Sequence, residues 1–252
     1  MRKDPKTLNS FLRIKQITRG VFDLIYPRLC VFCRSKLYTS HDYNICAVCA
    51  AEIKPIKVPF CLKCGTSLDQ ISQIRYNGCG KCANKQYYFD QVLSACKYKG
   101  MLKHCIHLFK YKRKRKTKNI LSDILIRFLQ ANFCPENIDL ITAVPLHRHK
   151  LRERGFNQSE LIAAKISSFF KIENSFNNLC RIKKTVSQVT LTAKQRQLNT
   201  TGAFSCKQPG EFKNKRILLV DDIFTTGSTL NECARVLKQS GAKKVTCLTI
   251  AR

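Results

Sequence analysis

Lys215-Arg216-Ile217-Leu218-Leu219-Val220-Asp221-Asp222-Ile223-Phe224-Thr225-Thr226-Gly227-Ser228-Thr229-Leu230 is the most informative stretch of this 252-residue chain. Ile217 to Val220 is a short, wholly apolar run with the length of a buried parallel strand. Two carboxylates end it. A loop of Thr and Gly follows, then a helical pattern (Leu230, Cys233, Ala234, Leu237) that stops at Gly241. Backbone N–H groups at a helix N-terminus, with Thr and Ser hydroxyls, hold a phosphate. Asp221 and Asp222 stand too far back to touch that phosphate, which would repel them. Their acceptor oxygens suit the two hydroxyls of an attached ribose. The stretch reads as a 5′-phosphoribose cradle. A generic strand-to-helix turn would explain Gly227, but not two adjacent carboxylates followed by Thr225, Thr226, Ser228 and Thr229.

Composition narrows the rest. Apolar residues make up 44% of the chain, which is globular rather than disordered. The formal net charge is +30, from 46 Lys and Arg against 16 Asp and Glu. A polyanion is the natural partner for that excess, nucleic acid ahead of anionic membrane. Lysine-rich codon usage accounts for part of the count but not for its clustering. Residues 1–10 are mostly polar, and no apolar run approaches the ~20 residues of a membrane span. No integral membrane segment or signal peptide is expected, and a cytoplasmic protein is.

Fifteen cysteines in a chain without a signal point to metal rather than disulfides. Eight of them form four Cys-x-x-Cys pairs: Cys30/Cys33, Cys46/Cys49, Cys61/Cys64 and Cys79/Cys82. Two such knuckles close one tetrahedral four-thiolate site, so eight cysteines predict two structural Zn2+ sites. Sequential pairing gives tandem zinc ribbons, crossed pairing an interleaved module; the similar spans favour ribbons. The segment has few apolar residues, so the metal supplies much of its folding free energy. Before it, Phe11, Ile14, Ile17, Val21, Leu24 and Ile25 form a helical stripe. Packing against the protein itself is favoured over a membrane surface.

After the cysteines, Tyr87 to Lys97 reads as extended and Gly100 to Tyr111 as helical. Lys110, Lys112, Arg113, Lys114, Arg115, Lys116 and Lys118 then crowd seven cations into nine positions. Like charges that close repel unless an anion neutralises them, so this is the candidate nucleic-acid contact. A helix from about 119 to 131 follows, then a strand over 138–144. The strand leads into a proline, a basic loop carrying Arg148, Lys150, Arg152 and Arg154, and a helix start where Asn157 and Glu160 have capping-box spacing. Ligands gather at the carboxyl ends of the strands in a doubly wound sheet, so this loop should face the cradle and meet a pyrophosphate or a nucleic-acid backbone. His104 and His107 read as surface or core residues. Phe156 and Tyr111 are available as base-stacking platforms. Lys244 to Ile250 is a strand beside the motif strand.

The stretch 215–230 resembles the phosphoribosyl-pyrophosphate (PRPP) binding motif of type I phosphoribosyltransferases. By that resemblance Asp221 and Asp222 bind the ribose hydroxyls, Thr225, Thr226, Gly227, Ser228 and Thr229 bind the 5′-phosphate, and Mg2+ accompanies PRPP. Pro145-Leu146, Leu151-Arg152 and Arg154-Gly155-Phe156-Asn157-Gln158, with the cysteine-rich head, resemble the ComF (ComFC) competence-protein family. So does the pattern of Arg181, Thr185, Gln188 and Leu191 followed by Arg196, Asn199 and Gly202-Ala203-Phe204. Residues 181–204 also resemble the mobile loop that closes over substrate in phosphoribosyltransferases. The implied fold is an α/β phosphoribosyltransferase type I domain, a doubly wound and mainly parallel sheet, behind a small zinc-binding domain. The implied arrangement is an amphipathic helix over 1–26, a zinc-binding domain over 27–86 and the α/β domain over 87–252. The implied role is handling imported single-stranded DNA during natural transformation, beside a helicase-like ATPase. The competing expectation is an active Mg-dependent phosphoribosyltransferase acting on a nucleobase or amine.

Overall fold

The computed structural model of the protein describes residues 29–37, 45–68, 78–111, 117–183 and 192–252. The expected helix before residue 27, the cations Lys112, Arg113, Lys114, Arg115 and Lys116, and Thr185, Gln188 and Leu191 lie outside the described residues. Contacts divide the chain into two units, Met1–Ala51 and Glu52–Arg252.

The first unit contains a cysteine knuckle closed by the Leu29–Lys36 bridge and the short helix α1 (Ala47–Ala51). The Cys30 N–H donates to the Ser35 carbonyl at 2.8 Å, and Arg34 takes a left-handed φ of 63° to make the turn.

The described strands of the second unit are β1 (Gln91–Cys96), β2 (Leu140–Ala143), β3 (Leu179–Arg181), β4 (Phe204–Cys206), β5 (Arg216–Ile223) and β6 (Lys244–Ala251). The described helices are α2 (Gly100–Tyr111), α3 (Thr117–Asn132), α4 (Arg148–Arg154), α5 (Gln158–Phe170), α6 (Ala193–Thr200) and α7 (Ser228–Gln239). The main sheet runs β1-β6-β5-β2 with every neighbouring pair parallel; β3 and β4 form a separate antiparallel pair.

The central strand β5 shows why the sheet is doubly wound. Ile217 to Val220 are at most 1% exposed. Successive side chains leave opposite faces of a strand. Ile217 and Leu219 join a core cluster with Leu230, Cys233, Ala234 and Leu237 of α7, while Leu218 and Val220 lie outside that cluster. On the other face α5 packs on β2 and β5, α3 packs on β1 and β6, and α3 and α5 touch each other. A strand covered on both sides must be apolar throughout, which is the pattern quoted above.

One expectation is corrected. The basic stretch after Pro145 is helix α4 rather than a loop. His147 supplies the reason for its start: its Nδ1 accepts from the His149 N–H at 3.3 Å. Gly155 supplies the stop, with a left-handed φ of 79° and its N–H on the Leu151 carbonyl. The next helix, α5, begins after Asn157 as expected, although the Asn157 side chain accepts from the Ser159 N–H at 3.2 Å rather than closing a capping box with Glu160.

Candidate functional site

The carboxyl ends of the parallel strands meet at the acid pair. β5 carries Asp221 and Asp222 out of the core, and Gly227 (φ 81°) turns the chain into α7. The Thr226 and Ser228 hydroxyls lie 2.8 Å apart, and the Ser228 N–H points back to Thr226 Oγ1 at 3.4 Å. Loop and acid pair line one cavity of about 500 Å3. Thr225, Gly227, Ser228 and Thr229 line it together with Lys110, His107 and Tyr98.

The acid pair is asymmetric. Asp221 accepts from Ser159 Oγ at 3.0 Å and from the Asp222 N–H at 2.9 Å. Burial, then the neighbouring charge of Asp222, pushes the Asp221 carboxyl up to about 7. Asp222 is ion-paired with the Lys110 ammonium, which arrives from the last turn of α2. Burial alone would depress Lys110, but the two carboxylates outweigh it and raise the ammonium above its usual range. The pair therefore offers one carboxyl that readily holds a proton and one carboxylate compensated by a cation.

A cationic wall borders this pair. Arg154 donates to Gln158 Oε1 at 2.6 Å. Lys150 is depressed by burial and by the nearby charges of Arg181, Arg154 and Lys110. Arg181 lies over the Phe204 ring, 5.3 Å from its centroid; burial lowers its pKa while Asp221 opposes the shift. Cations crowded at one place repel, and an anion with several charges relieves that repulsion.

Each cysteine quartet is gathered with its ligand atoms within 4.8 Å of one another: Cys30, Cys33, Cys46 and Cys49 in the first unit, and Cys61, Cys64, Cys79 and Cys82 in the second. The pairing is sequential. Backbone N–H groups already turn toward the sulfurs, Cys46 N–H to Cys30 Sγ at 3.4 Å and Cys79 N–H to Cys61 Sγ at 3.3 Å. Four thiols so placed fit a tetrahedral Zn2+ ion, and thiolate is a ligand zinc prefers. The second quartet belongs to the α/β core cluster. It also reaches the cradle. Arg252 Nη1 donates to Cys64 Sγ at 2.8 Å, and the same guanidinium lies 5.6 Å from the centroid of Phe224, whose ring lies under Gly227.

The double zinc ribbon domain family matches residues 21–97, and the phosphoribosyl transferase domain family matches residues 158–252. Competence protein F of Haemophilus influenzae is 31% identical over 227 residues, covering 88% of this chain and 96% of that protein. The chain belongs to the competence protein F (ComF) family. DNA utilization protein YhgH of Escherichia coli K12 is 30% identical over 91% of this chain and 99% of its own length. Competence protein ComFC of Bacillus subtilis is 25% identical over 90% of this chain and 96% of its own.

In this ComF-family chain the structure brings together Asp221, Asp222, Thr225, Gly227, Ser228 and Thr229 in one cavity. It separates the basic stretch of α4: Lys150 and Arg154 are half-buried, while Arg148 and Arg152 are exposed. Lys110 is not a free member of the basic cluster but a wall of the cradle. His107, read from sequence as surface or core, lines the same cavity. Phe156 is 7% exposed and packs on Phe109 at 5.6 Å, so it is a core ring rather than a stacking platform. Ser159 escaped the sequence reading. Its only signal was the third position after the Gly155-Phe156 turn, which says nothing of Asp221.

Proposed function

We propose that this protein is a DNA-uptake factor of natural transformation that binds single-stranded DNA in the cytosol through cationic surfaces on a PRPP-binding-type fold. The observation that carries the proposal is the cationic wall of Lys110, Lys150, Arg154 and Arg181 beside a phosphoribose-type cavity, in a chain of formal charge +30. The names of its relatives, competence and DNA utilization proteins, point the same way. Lys112, Arg113, Lys114, Arg115, Lys116 and Lys118 extend the DNA contacts by charge alone, and the zinc head over 27–86 adds to them. A helicase-like ATPase is the proposed protein partner.

In the cradle, Thr225 to Thr229 hold a 5′-phosphate by N–H and hydroxyl donors, and Asp222 accepts from a ribose hydroxyl as Lys110 yields. Lys150, Arg154 and Arg181 face the remaining negative charge of PRPP. Mg2+ fits here in kind: Asp221 and Asp222 offer the hard oxygen ligands it takes alongside substrate phosphates. Bound, it would neutralise pyrophosphate.

The second reading, transfer of the phosphoribosyl group to a base or amine, is favoured by His107 and Tyr98, which line the cradle and give an acceptor a wall. Mg-dependent pyrophosphate release would establish it.

Binding of a labelled single strand, followed by fluorescence anisotropy as salt rises, tests the main proposal. The logarithm of affinity should fall linearly with the logarithm of salt, by a slope of about −0.7 for each phosphate contacted. An affinity that ignores salt overturns it.

A further inference from the structure

Both carboxylates of the cradle are engaged by the chain itself. Asp221 Oδ1 accepts from Ser159 Oγ and from the Asp222 N–H. Asp222 Oδ2 holds the Lys110 ammonium at 2.5 Å, and the Lys110 and Asp222 side chains keep only 22% and 14% of their surface exposed. Both line the same cavity. Lys110 therefore occupies an acceptor that the phosphoribose reading gives to a ribose hydroxyl. Exchange at that acceptor is unequal. A hydroxyl brings no charge, so replacing the ammonium leaves a cation and a carboxylate, both largely buried, without their mutual attraction. A ribose that carries a 5′-phosphate and nothing more meets that cost in full.

Lys110 is placed to change partners. It lies in the last turn of α2. Its four-carbon stem is flexible, and its ammonium is a point charge with three donors. The charge of Arg154 acts on Lys110, and that of Lys110 acts on Lys150. An anion that neutralises Arg154 and Lys150 is thus within electrostatic range of Lys110, and it attracts the ammonium while relieving the repulsion among the three cations. The chemistry of the ligand follows. Its second anion has to leave both ribose hydroxyls free for the acid pair. On a 5-phosphoribose only C1 meets that condition. A 5′-mononucleotide carries its base at C1 and brings no second anion.

We infer that Lys110 is a specificity-determining residue of the cradle: it blocks Asp222 to a ribose phosphorylated only at C5 and yields Asp222 to one phosphorylated at C1 as well, taking the C1 anion as its new partner. This rests on the phosphoribose reading of Thr225 to Thr229. It adds what selects the ligand.

Calorimetry of the zinc-loaded full chain with ribose 5-phosphate and with PRPP, at one Mg2+ concentration, tests it on the wild type and on Lys110→Gln. In the variant Asp222 is open to both sugars. Ribose 5-phosphate should bind about tenfold tighter, the worth of one hydrogen bond to a charged group. PRPP should gain nothing comparable, because the variant loses the contact to the C1 anion together with the ion pair that this contact replaces. Lys110→Met, which keeps the length of the stem, should behave alike, and thermal melts show that each variant is folded. A role confined to stability weakens both ligands, and a plain contact to the pyrophosphate weakens PRPP alone; either result overturns the inference, as does an equal gain for both. The wild type gives a check that needs no variant: ribose 1,5-bisphosphate should bind more nearly like PRPP, and its binding like ribose 5-phosphate overturns the inference too. If no sugar phosphate binds the wild type while salt-dependent strand binding persists, the phosphoribose reading itself is wrong and the inference falls with it.

Discussion

Gly227→Ala probes the phosphate loop where it is tightest. Gly227 has φ +81°, and a Cβ there would stand 2.7 Å from Phe224 Cζ and 2.9 Å from Cε2. The ring cannot retreat: Phe224 is 3% exposed, Phe89 packs against it edge-on at 6.3 Å, and the Arg252 guanidinium lies over it. An alanine in left-handed conformation costs about 1 kcal/mol, and overpacking a filled site costs about 1–3 kcal/mol more. The expected loss is about 2–4 kcal/mol, measured by urea unfolding of the zinc-loaded chain and converted through the slope. Gly210→Ala is the control, since nothing lies within 4 Å of its added Cβ; it should change stability by less than about 0.5 kcal/mol. The strain falls on the loop that holds phosphate, so PRPP affinity of the folded variant should fall at least about tenfold, by calorimetry. A variant within about 0.5 kcal/mol of wild type, with unchanged PRPP affinity, would refute the packing of Phe224 under the loop and its role in binding.

Other outcomes follow from the acid pair and the zinc sites. Asp221 is held up to about 7, mainly by burial, against 3.8 in an ordinary setting. The native chain thus keeps a proton that the unfolded chain releases, and stability should fall as pH rises from about 4 to about 7; Asp221→Asn should flatten that slope in urea titrations at several pH values. Lys110→Gln strands Asp222 beside Asp221 and should cost about 1–2 kcal/mol, less than a fully buried pair because both partners keep some water contact. Thermal melts at neutral pH check this; an unchanged melting temperature would mean the ion pair is incidental. Chelation and metal counting should find two Zn2+ per chain. Cys33→Ser and Cys64→Ser should each remove one, but only Cys64→Ser should also weaken PRPP, because only Cys64 supports Arg252.

Much of this was legible because it is local. The apolar run Ile217–Val220, the acid pair and the loop to Thr229 are contiguous, and one strand-to-helix turn makes them a site. The Cys-x-x-Cys pairs are likewise local, although which pairs share a metal depends on how the chain folds back. Lys110 belonged by sequence to a basic cluster. It became a wall of the cradle because the fold brings the last turn of α2 to Asp222, 112 positions later. Arg252 on Cys64 spans 188 positions. Charge, periodicity and spacing hold no information about contacts of that separation. The helix α4 was missed for a different reason: a run of cations has no apolar period, and its stability comes from the His147 cap and the Gly155 stop.

The most direct test of the account is the affinity of a single-stranded oligonucleotide with and without PRPP and Mg2+, repeated on Asp221→Asn/Asp222→Asn. The account predicts that PRPP weakens strand binding by the wild type, and that the double variant loses this effect while keeping the salt-dependent binding of the cationic surfaces. Strand binding that PRPP leaves untouched in the wild type would contradict it, separating the cradle from the DNA surface.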